Sequence, residues 1–105
     1  MFMAQVHIDF DRKKIEELAR RWNIIRIQLF GSVLRDDFNP QSDIDVLVRF
    51  LRGVKVDLMD FIDIQSEFEA VFGRQIDLVE EGSIRNPYRQ KNIDQNKEVI
   101  YAAAG

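Results

Sequence analysis

Three aspartates occupy positions at which the surrounding residues are typical of buried β-strands. Asp43 and Asp45 flank the first residue of the apolar run Ile44–Phe50, and Asp77 lies inside the run Gln75–Val79. Side chains alternate between the two faces of a strand, so Asp43 and Asp45 point to the same face. Asp77 would join them from a neighbouring strand. The spacing therefore predicts a cluster of three carboxylates.

Bound divalent cations explain such a cluster. Carboxylates that converge in a partly buried place repel each other and lose hydration, and a cation relieves both costs. Magnesium prefers oxygen ligands and completes its shell with water and substrate phosphates. Two such ions, about 3.5–4 Å apart, stabilise the attacking and leaving oxygens of an in-line phosphoryl displacement. We therefore predict that Asp43, Asp45 and Asp77 are catalytic and bind two Mg²⁺ ions, with Mn²⁺ as an alternative.

A phosphate site is predicted next to these acids. Gly31 and Ser32 follow the run Ile24–Phe30, and a glycine directly after a strand lets the backbone approach a ligand closely. Ser32 begins a predicted short helix through Arg35, and the backbone N–H groups at a helix start favour anions. Arg35 lies one turn further on, within reach of a phosphate. One strand–helix–strand unit thus links an anion site to the acids, as a metal–triphosphate substrate requires.

Each of these features has a simpler explanation when it is taken alone. A Gly-Ser pair after a strand is usually a turn, and an isolated arginine is most often a surface residue. An Asp-x-Asp pair is commonly a solvated edge or a helix cap. It also occurs in many glycosyltransferases that bind a nucleotide sugar and manganese. The specificity of the prediction comes from the combination.

The remaining sequence predicts alternating helices and strands that position these residues. The predicted strands are Ile24–Phe30, Ile44–Phe50 and Gln75–Val79. The predicted helices run from an N-cap at Asp9 or Asp11 to about Trp22, from Asp57 to about Phe72 with Gly73 as the stop, and from about Tyr88 to Ala103. Their predicted inner faces are Ile15, Leu18, Ala19 and Trp22 in the first, and Leu58, Phe61, Ile62, Gln65, Phe68 and Phe72 in the second.

This order of elements predicts an α/β (α+β) fold, with a small mixed sheet and helices packed mainly on one face. The chain has 105 residues, 46% of them hydrophobic and 31% charged, which fits one folded domain over residues 1–105. The formal net charge of −3 gives no global attraction to nucleic acid or anionic membranes. There is no cysteine, and His7 is the single histidine, so thiolate chemistry is excluded and Ser-His catalysis has little support. We expect a cytoplasmic protein without a membrane span.

The spacing of the candidate residues resembles a known superfamily. Gly31-Ser32, ten further residues and Asp43-Ile44-Asp45 match the Gly-Ser-x10-Asp-x-Asp signature of the DNA polymerase β-like nucleotidyltransferases. The short length and the third acid, in Gln75-Ile76-Asp77-Leu78-Val79, resemble the minimal nucleotidyltransferase (MNT) branch. The tail from Ile84 to Ala103 is also similar to that branch.

This resemblance implies a function. Asp43, Asp45 and Asp77 would be the metal carboxylates, Asp77 would help to deprotonate the attacking hydroxyl, and Gly31 and Ser32 would hold the triphosphate. MNT proteins commonly act as antitoxins to a helical HEPN-domain ribonuclease toxin, and are thought to silence it by transferring AMP from ATP to a tyrosine hydroxyl. The resemblance thus implies a magnesium-dependent protein adenylyltransferase with a HEPN partner and ATP as substrate.

Some alternatives stay open at this point. Asp36 stands where many relatives carry a glycine after the arginine, and Asp37 follows it. Both would weaken phosphate binding if they face the site. The protein could instead neutralise the toxin by binding alone, or transfer a nucleotidyl group to a small molecule. A glycosyltransferase is the least favoured reading, because the chain is so short. Direct binding of nucleic acid is not expected, and the sequence leaves homo-oligomerisation open.

Overall fold

The structure, a computed structural model, describes residues 10–30, 43–81 and 97–103. Two helices and four strands lie in these ranges. They are α1 (Arg12–Arg21), β1 (Ile24–Phe30), β2 (Ile44–Phe50), α2 (Leu58–Phe72), β3 (Ile76–Glu80) and β4 (Lys97–Ala102). No helix within these ranges is long and apolar enough to cross a membrane.

The four strands form one mixed sheet in the order β3-β2-β1-β4. β1 pairs antiparallel with both β2 and β4, whereas β2 and β3 run parallel. Parallel neighbours need a crossover connection, and α2 provides it between β2 and β3. The predicted strands are confirmed, the third with its bounds moved by one residue. The small mixed sheet expected from the sequence is therefore present.

Capping residues set the starts of both helices. The Asp11 side chain accepts hydrogen bonds from the backbone N–H groups of Lys13 (3.0 Å) and Lys14 (3.4 Å), which have no partner inside the helix. Asp57 and Asp60 form a capping box at the start of α2. Gly73 ends α2 in the left-handed conformation, with φ of 69°. The predicted caps at Asp11 and Asp57 and the stop at Gly73 are confirmed, whereas Asp9 lies outside the described residues.

One core joins the two helices to one face of the sheet. α1 contacts β1 and α2, and α2 contacts β3. Strand residues of this core alternate with residues of the other face, as in Ile44, Val46 and Val48 of β2. The fully buried side chains of the core include Ile15, Leu18, Ile27, Leu29, Ile64 and Phe68. The expectation of helices on one face is confirmed for the described elements.

The predicted inner face of α2 is partly wrong. Phe68 and Phe72 are buried and Phe61 packs against the core, as expected. Leu58 and Ile62 are instead exposed, and Ile64 is completely buried. The buried face of the helix therefore includes Ile64 and leaves out Leu58 and Ile62.

The predicted last helix is wrong where the structure describes it. Lys97–Ala102 form β4, and residues 88–96 lie outside the described residues. The segment Val99-Ile100-Tyr101 is β-branched and aromatic, and it pairs with β1. Without β4, the backbone groups along one side of β1 would lack sheet partners, so tertiary pairing outweighs the helix propensity of the alanines that follow.

Candidate active site

Two of the predicted acids, Asp45 and Asp77, lie on the sheet face opposite the two helices. Asp45 stands between the core residues Ile44 and Val46 of β2, and Asp77 stands between Ile76 and Leu78 of β3. Because side chains alternate along a strand, both aspartates point away from the core. Asp43 lies directly before β2 and two residues before Asp45, so the same alternation predicts that it points to the same side.

The sheet brings two of the three acids together directly. In the parallel pairing of β2 with β3, Asp45 and Asp77 are register partners. On the other side of β2, Asp45 is the register partner of Phe30, which in turn pairs with Lys97 of β4. Directly opposed residues share a face, so one row across the sheet contains Asp77, Asp45, Phe30 and Lys97 in that order. We call it the acidic row.

The acids are less buried than the strand sequences suggest. Asp45 is half-buried, whereas Asp43 and Asp77 are exposed. The sequence predicts a partly buried place because the neighbouring residues are apolar, but those neighbours face the helices and the acids do not. The carboxylates of Asp43 and Asp77 are therefore accessible at the surface, and that of Asp45 is partly so.

The third carboxylate is not gathered into one group with the other two. Within residues 10–30, 43–81 and 97–103, no three His, Cys, Asp or Glu side chains lie close enough together to hold a metal ion. The pair Asp45 and Asp77 is placed by sheet register, whereas Asp43 precedes the first residue of β2. The structure therefore supports the prediction of convergence for two acids and leaves Asp43 beside them.

Contacts at the start of β3 hold Asp77 in register with Asp45. The backbone N–H of Ile44 donates to the carbonyl oxygen of Gln75 at 3.0 Å. On β3, the backbone N–H of Ile76 donates to the carboxylate of Glu69 on α2 at 3.3 Å. The residue directly before Asp77 is thereby tied to the helix behind the sheet.

A small apolar cluster lies beside the acids on the same face. It consists of Phe30 and Leu47, both nearly buried, with Val79 packed against them. Gln28, two residues before Phe30, is a buried polar side chain on this face, with 3% of its surface exposed. The acidic row is therefore bordered by a small cluster of buried apolar side chains on its own face of the sheet.

The opposite end of this face carries arginine–glutamate ion pairs. Arg26 forms an ion pair with Glu81, in which its Nε lies 3.3 Å from a carboxylate oxygen, and Arg49 lies 4.0 Å from the same carboxylate group. A cavity of about 300 Å³ is lined here by Arg49, Phe50 and Glu81, among others. These arginines lie four residues along their strands from the acidic row. We place the candidate site at the acids rather than at this cavity, because Asp43, Asp45 and Asp77 do not line it.

The structure describes some of the other candidate residues and not the rest. The predicted phosphate-binding residues Gly31, Ser32 and Arg35 lie outside the described residues, and Asp36 and Asp37 do as well. β1 nevertheless ends at Phe30 in the acidic row, so Gly31 follows that row directly in the chain. Sequence reasoning missed Lys97 and Glu69. Lys97 was hidden by the helix prediction, and Glu69 gives no local signal because its partner is backbone.

Comparison with known proteins defines the class to which this fold and face belong. The family model for the nucleotidyltransferase domain matches residues 11–100. The chain therefore belongs to the nucleotidyltransferase domain family, and the resemblance recognised in the sequence is confirmed.

Individual relatives agree with this family. A Methanocaldococcus jannaschii protein named "Putative protein adenylyltransferase" is 33% identical over 93 residues, covering 89% of this chain and 91% of the relative. The protein adenylyltransferase MntA of Thermococcus cleftensis is 31% identical, covering 82% of each chain. A solved complex of tri-AMPylated Shewanella oneidensis HEPN toxin with MNT antitoxin matches with a TM-score of 0.61 and 20% identity. The match covers 88% of this chain and 70% of that one, and it shows a shared fold.

Proposed function

We propose that the protein is a magnesium-dependent adenylyltransferase that transfers AMP from ATP to a tyrosine hydroxyl of a HEPN-domain ribonuclease toxin, and so acts as its antitoxin. Membership of the nucleotidyltransferase family supports the reaction class. The names of the similar proteins, which include a protein adenylyltransferase and a complex with an AMPylated HEPN toxin, support the acceptor and the partner.

The observation that carries the proposal is the register pairing of Asp45 with Asp77 on the sheet face opposite the helices. Two carboxylates are held side by side by backbone hydrogen bonds and not by flexible loops. They lie in the row at which β1 ends, immediately before Gly31 and Ser32. A nucleotide whose phosphates lay at that strand end would have its α-phosphate close to both acids.

The transfer forms one bond and breaks one. The tyrosine oxygen bonds to the α-phosphorus of ATP, and the bond from that phosphorus to the oxygen bridging to the β-phosphorus breaks. Pyrophosphate leaves with the electron pair. The hydroxyl proton passes to a carboxylate, and we assign that role to Asp77, which is exposed on its strand and open to an incoming acceptor.

The donor set fits magnesium. Asp43, Asp45 and Asp77 offer only oxygen ligands, and magnesium needs few protein carboxylates because water and substrate phosphates complete its shell. When bound, the metal would neutralise phosphate charge and stabilise the attacking and leaving oxygens. Gly31, Ser32 and Arg35 remain the predicted phosphate ligands.

The proposal is tested by intact-mass spectrometry of the HEPN partner after incubation with this protein, ATP and magnesium. We expect a mass gain of one or more AMP units. Asp45→Asn should abolish the gain, because it removes a charged ligand from the centre of the acidic row. The matched control is Asp63→Asn, the same change at an exposed position of α2. It should leave the gain intact, and loss of the gain in both variants would contradict the assigned site.

Neutralisation by binding alone is the second candidate. The presence of Asp43, Asp45 and Asp77 in the sequence favours the enzyme over this alternative. If the protein acts by binding alone, the partner would form a stable complex and lose its ribonuclease activity with no gain in mass. Asp45→Asn would then neutralise the toxin as well as the unchanged protein does.

Two further expectations belong to this proposal. Because the target would be an RNA-cleaving enzyme, we expect the protein in the cytoplasm. Transfer to a small molecule remains an alternative acceptor. Metal-dependent consumption of ATP in the presence of a small hydroxyl compound, without any partner protein, would favour it.

A further inference from the structure

A cavity of about 300 Å³ lies at the end of the sheet remote from the acidic row. Its apolar walls come from Ile25, Phe50, Leu51 and Val54. Arg49, which also lines it, follows Asp45 by four residues on β2, so about 13 Å of strand separates the two backbones. The cavity is therefore a second concave site, separate from the carboxylates assigned to nucleotide transfer.

Backbone hydrogen bonds fix the rim of this cavity. The N–H of Val54 donates to the carbonyl oxygen of Leu51 at 3.2 Å, which closes a turn around Arg52 and Gly53. Gly53 has a φ of 88°, a left-handed conformation that favours glycine in a turn. The N–H of Leu51 donates to the carbonyl oxygen of Asn23 at 2.8 Å. The turn is thereby tied to the junction between α1 and β1, and it holds the backbone of Arg52 at the cavity.

The arginines of the cavity carry more hydrogen-bond donors than its glutamates occupy. Glu81 already interacts with Arg26, whose Nε lies 3.3 Å from its carboxylate, and Glu80 also has an interaction partner. Arg49 lies 4.0 Å from Glu81, and 56% of its side chain is exposed. Within the part of the chain that the structure describes, Arg52 has no ion pair. A guanidinium has five N–H donors and no acceptor, so the cavity can still bind an anion.

The surroundings of the cavity are typical of a protein interface. Among the described residues, the large apolar side chains that remain exposed are Leu51, Leu58, Met59, Ile62 and Val99. All except Val99 lie in the segment that runs from the cavity into α2. Exposed apolar residues concentrated in one region mark protein–protein contacts, and arginine is enriched among the residues that dominate their affinity. A small-molecule site would enclose its ligand more completely, since about half of Leu51 is exposed here.

The anion that fits this cavity best is a single carboxylate. Glu80 and Glu81 line the same cavity, and their charges disfavour a polyanion such as RNA. A carboxylate pairs with guanidinium groups through parallel hydrogen bonds, which give the contact geometric specificity. An aspartate, a glutamate or a chain terminus beside an apolar residue would supply both the anion and a group for the apolar walls.

We propose that this cavity is a docking site for the HEPN partner. Arg49 and Arg52 bind a surface carboxylate of the partner, and the apolar walls contact an apolar side chain next to that carboxylate. The identity of the partner rests on the proposed function. Because the cavity is separate from the acidic row, affinity for the partner and the chemistry of transfer depend on different residues.

The test is the affinity of this protein for the HEPN partner, measured by calorimetry, together with the kinetics of AMP transfer. Arg52→Gln should weaken the complex by about ten-fold, the scale of one charge-assisted hydrogen bond, and should make it less sensitive to salt. The partner concentration for half-maximal transfer should rise by a similar factor, while the maximal rate stays the same because the acids are unaltered. Leu51→Ser, which removes an apolar wall, should also weaken the complex. The matched control is Arg20→Gln, the same change at an exposed position of α1, and it should have no effect.

The outcomes separate this proposal from the proposed function. If Arg52→Gln binds the partner as tightly as the unchanged protein, the docking site is wrong, and AMP transfer by the unchanged protein would leave the function standing. RNA binding or self-association that is lost in Arg52→Gln, with affinity for the partner retained, would also overturn the proposal by identifying another occupant. If the complex weakens as expected and no AMP is transferred, the docking site stands and the transfer activity fails. If the unchanged protein forms no complex with the partner, both proposals fail. Thermal melts of each variant check that the fold is retained.

Discussion

At the scale of single residues, the site depends on a contact made from behind the sheet. Glu69 accepts a hydrogen bond from the backbone of Ile76, the residue before Asp77. On its other side, β3 is hydrogen-bonded to its neighbour β2. Glu69 therefore contributes to the position of Asp77 without lying on its face of the sheet.

Replacement of Glu69 tests this positioning role. Glu69→Ala leaves the Ile76 N–H without its acceptor, and we expect a loss of about 1 kcal/mol in the free energy of unfolding. We also expect several-fold slower AMP transfer, because the start of β3 and hence Asp77 would move. Glu69→Gln keeps an acceptor oxygen and should restore the rate. Urea denaturation and transfer kinetics measure the two effects, and a Gln variant as slow as the Ala variant would contradict the role.

Some residues of the site could be found in the sequence and others could not. Asp43, Asp45 and Asp77 stand out because they are acids beside or within apolar strand sequences. This signal is local, since successive residues of a strand point to opposite faces of the sheet. The adjacency of Asp45 and Asp77 depends on the order of the strands in the sheet, which local sequence patterns do not determine. Lys97 and Glu69 owe their positions to long-range pairing, and neither leaves a local pattern.

At the scale of elements, α2 offers two isoleucines with opposite environments. Ile64 is completely buried and 48% of the surface of Ile62 is exposed. Ile64→Ala should cost about 2–5 kcal/mol in the free energy of unfolding, because it opens a cavity between helix and sheet. Ile62→Ala should change it by less than about 0.5 kcal/mol, because alanine is a good helix former and little is buried. Urea denaturation of the pair decides whether the helix is oriented as described.

The reason for the error in this helix is physical. The segment Leu58–Phe72 has apolar residues at more positions than one face can accommodate, so its periodicity is ambiguous. The sequence-based choice included Leu58 and Ile62 in the inner face and left out Ile64. In the structure, Ile64, Phe68 and Phe72 meet the core, and Gly73 then turns the chain into β3.

At the scale of the whole molecule, β4 is the feature that the sequence predicted wrongly and that most affects the fold. A C-terminal helix would leave β1 at the edge of a three-stranded sheet. The structure instead makes β1 an interior strand, with Ile27 and Leu29 completely buried on one face and Phe30 nearly buried on the other. Ile100 of β4 adds to the same core, and Arg12 of α1 donates to its carbonyl oxygen at 3.4 Å.

Shortened chains test this role of the last strand. A chain that ends at residue 96 lacks β4, so β1 loses one set of backbone partners and the core loses Ile100. We expect this chain to lose its cooperative unfolding transition, since an exposed edge and a smaller core leave little of the stability of a domain this small. A chain that ends at Ala103 keeps β4 and should unfold as the full chain does. If the chain ending at residue 96 melts cooperatively at the same temperature, the pairing of β4 with β1 is wrong, and the placement of Lys97 beside Phe30 fails with it.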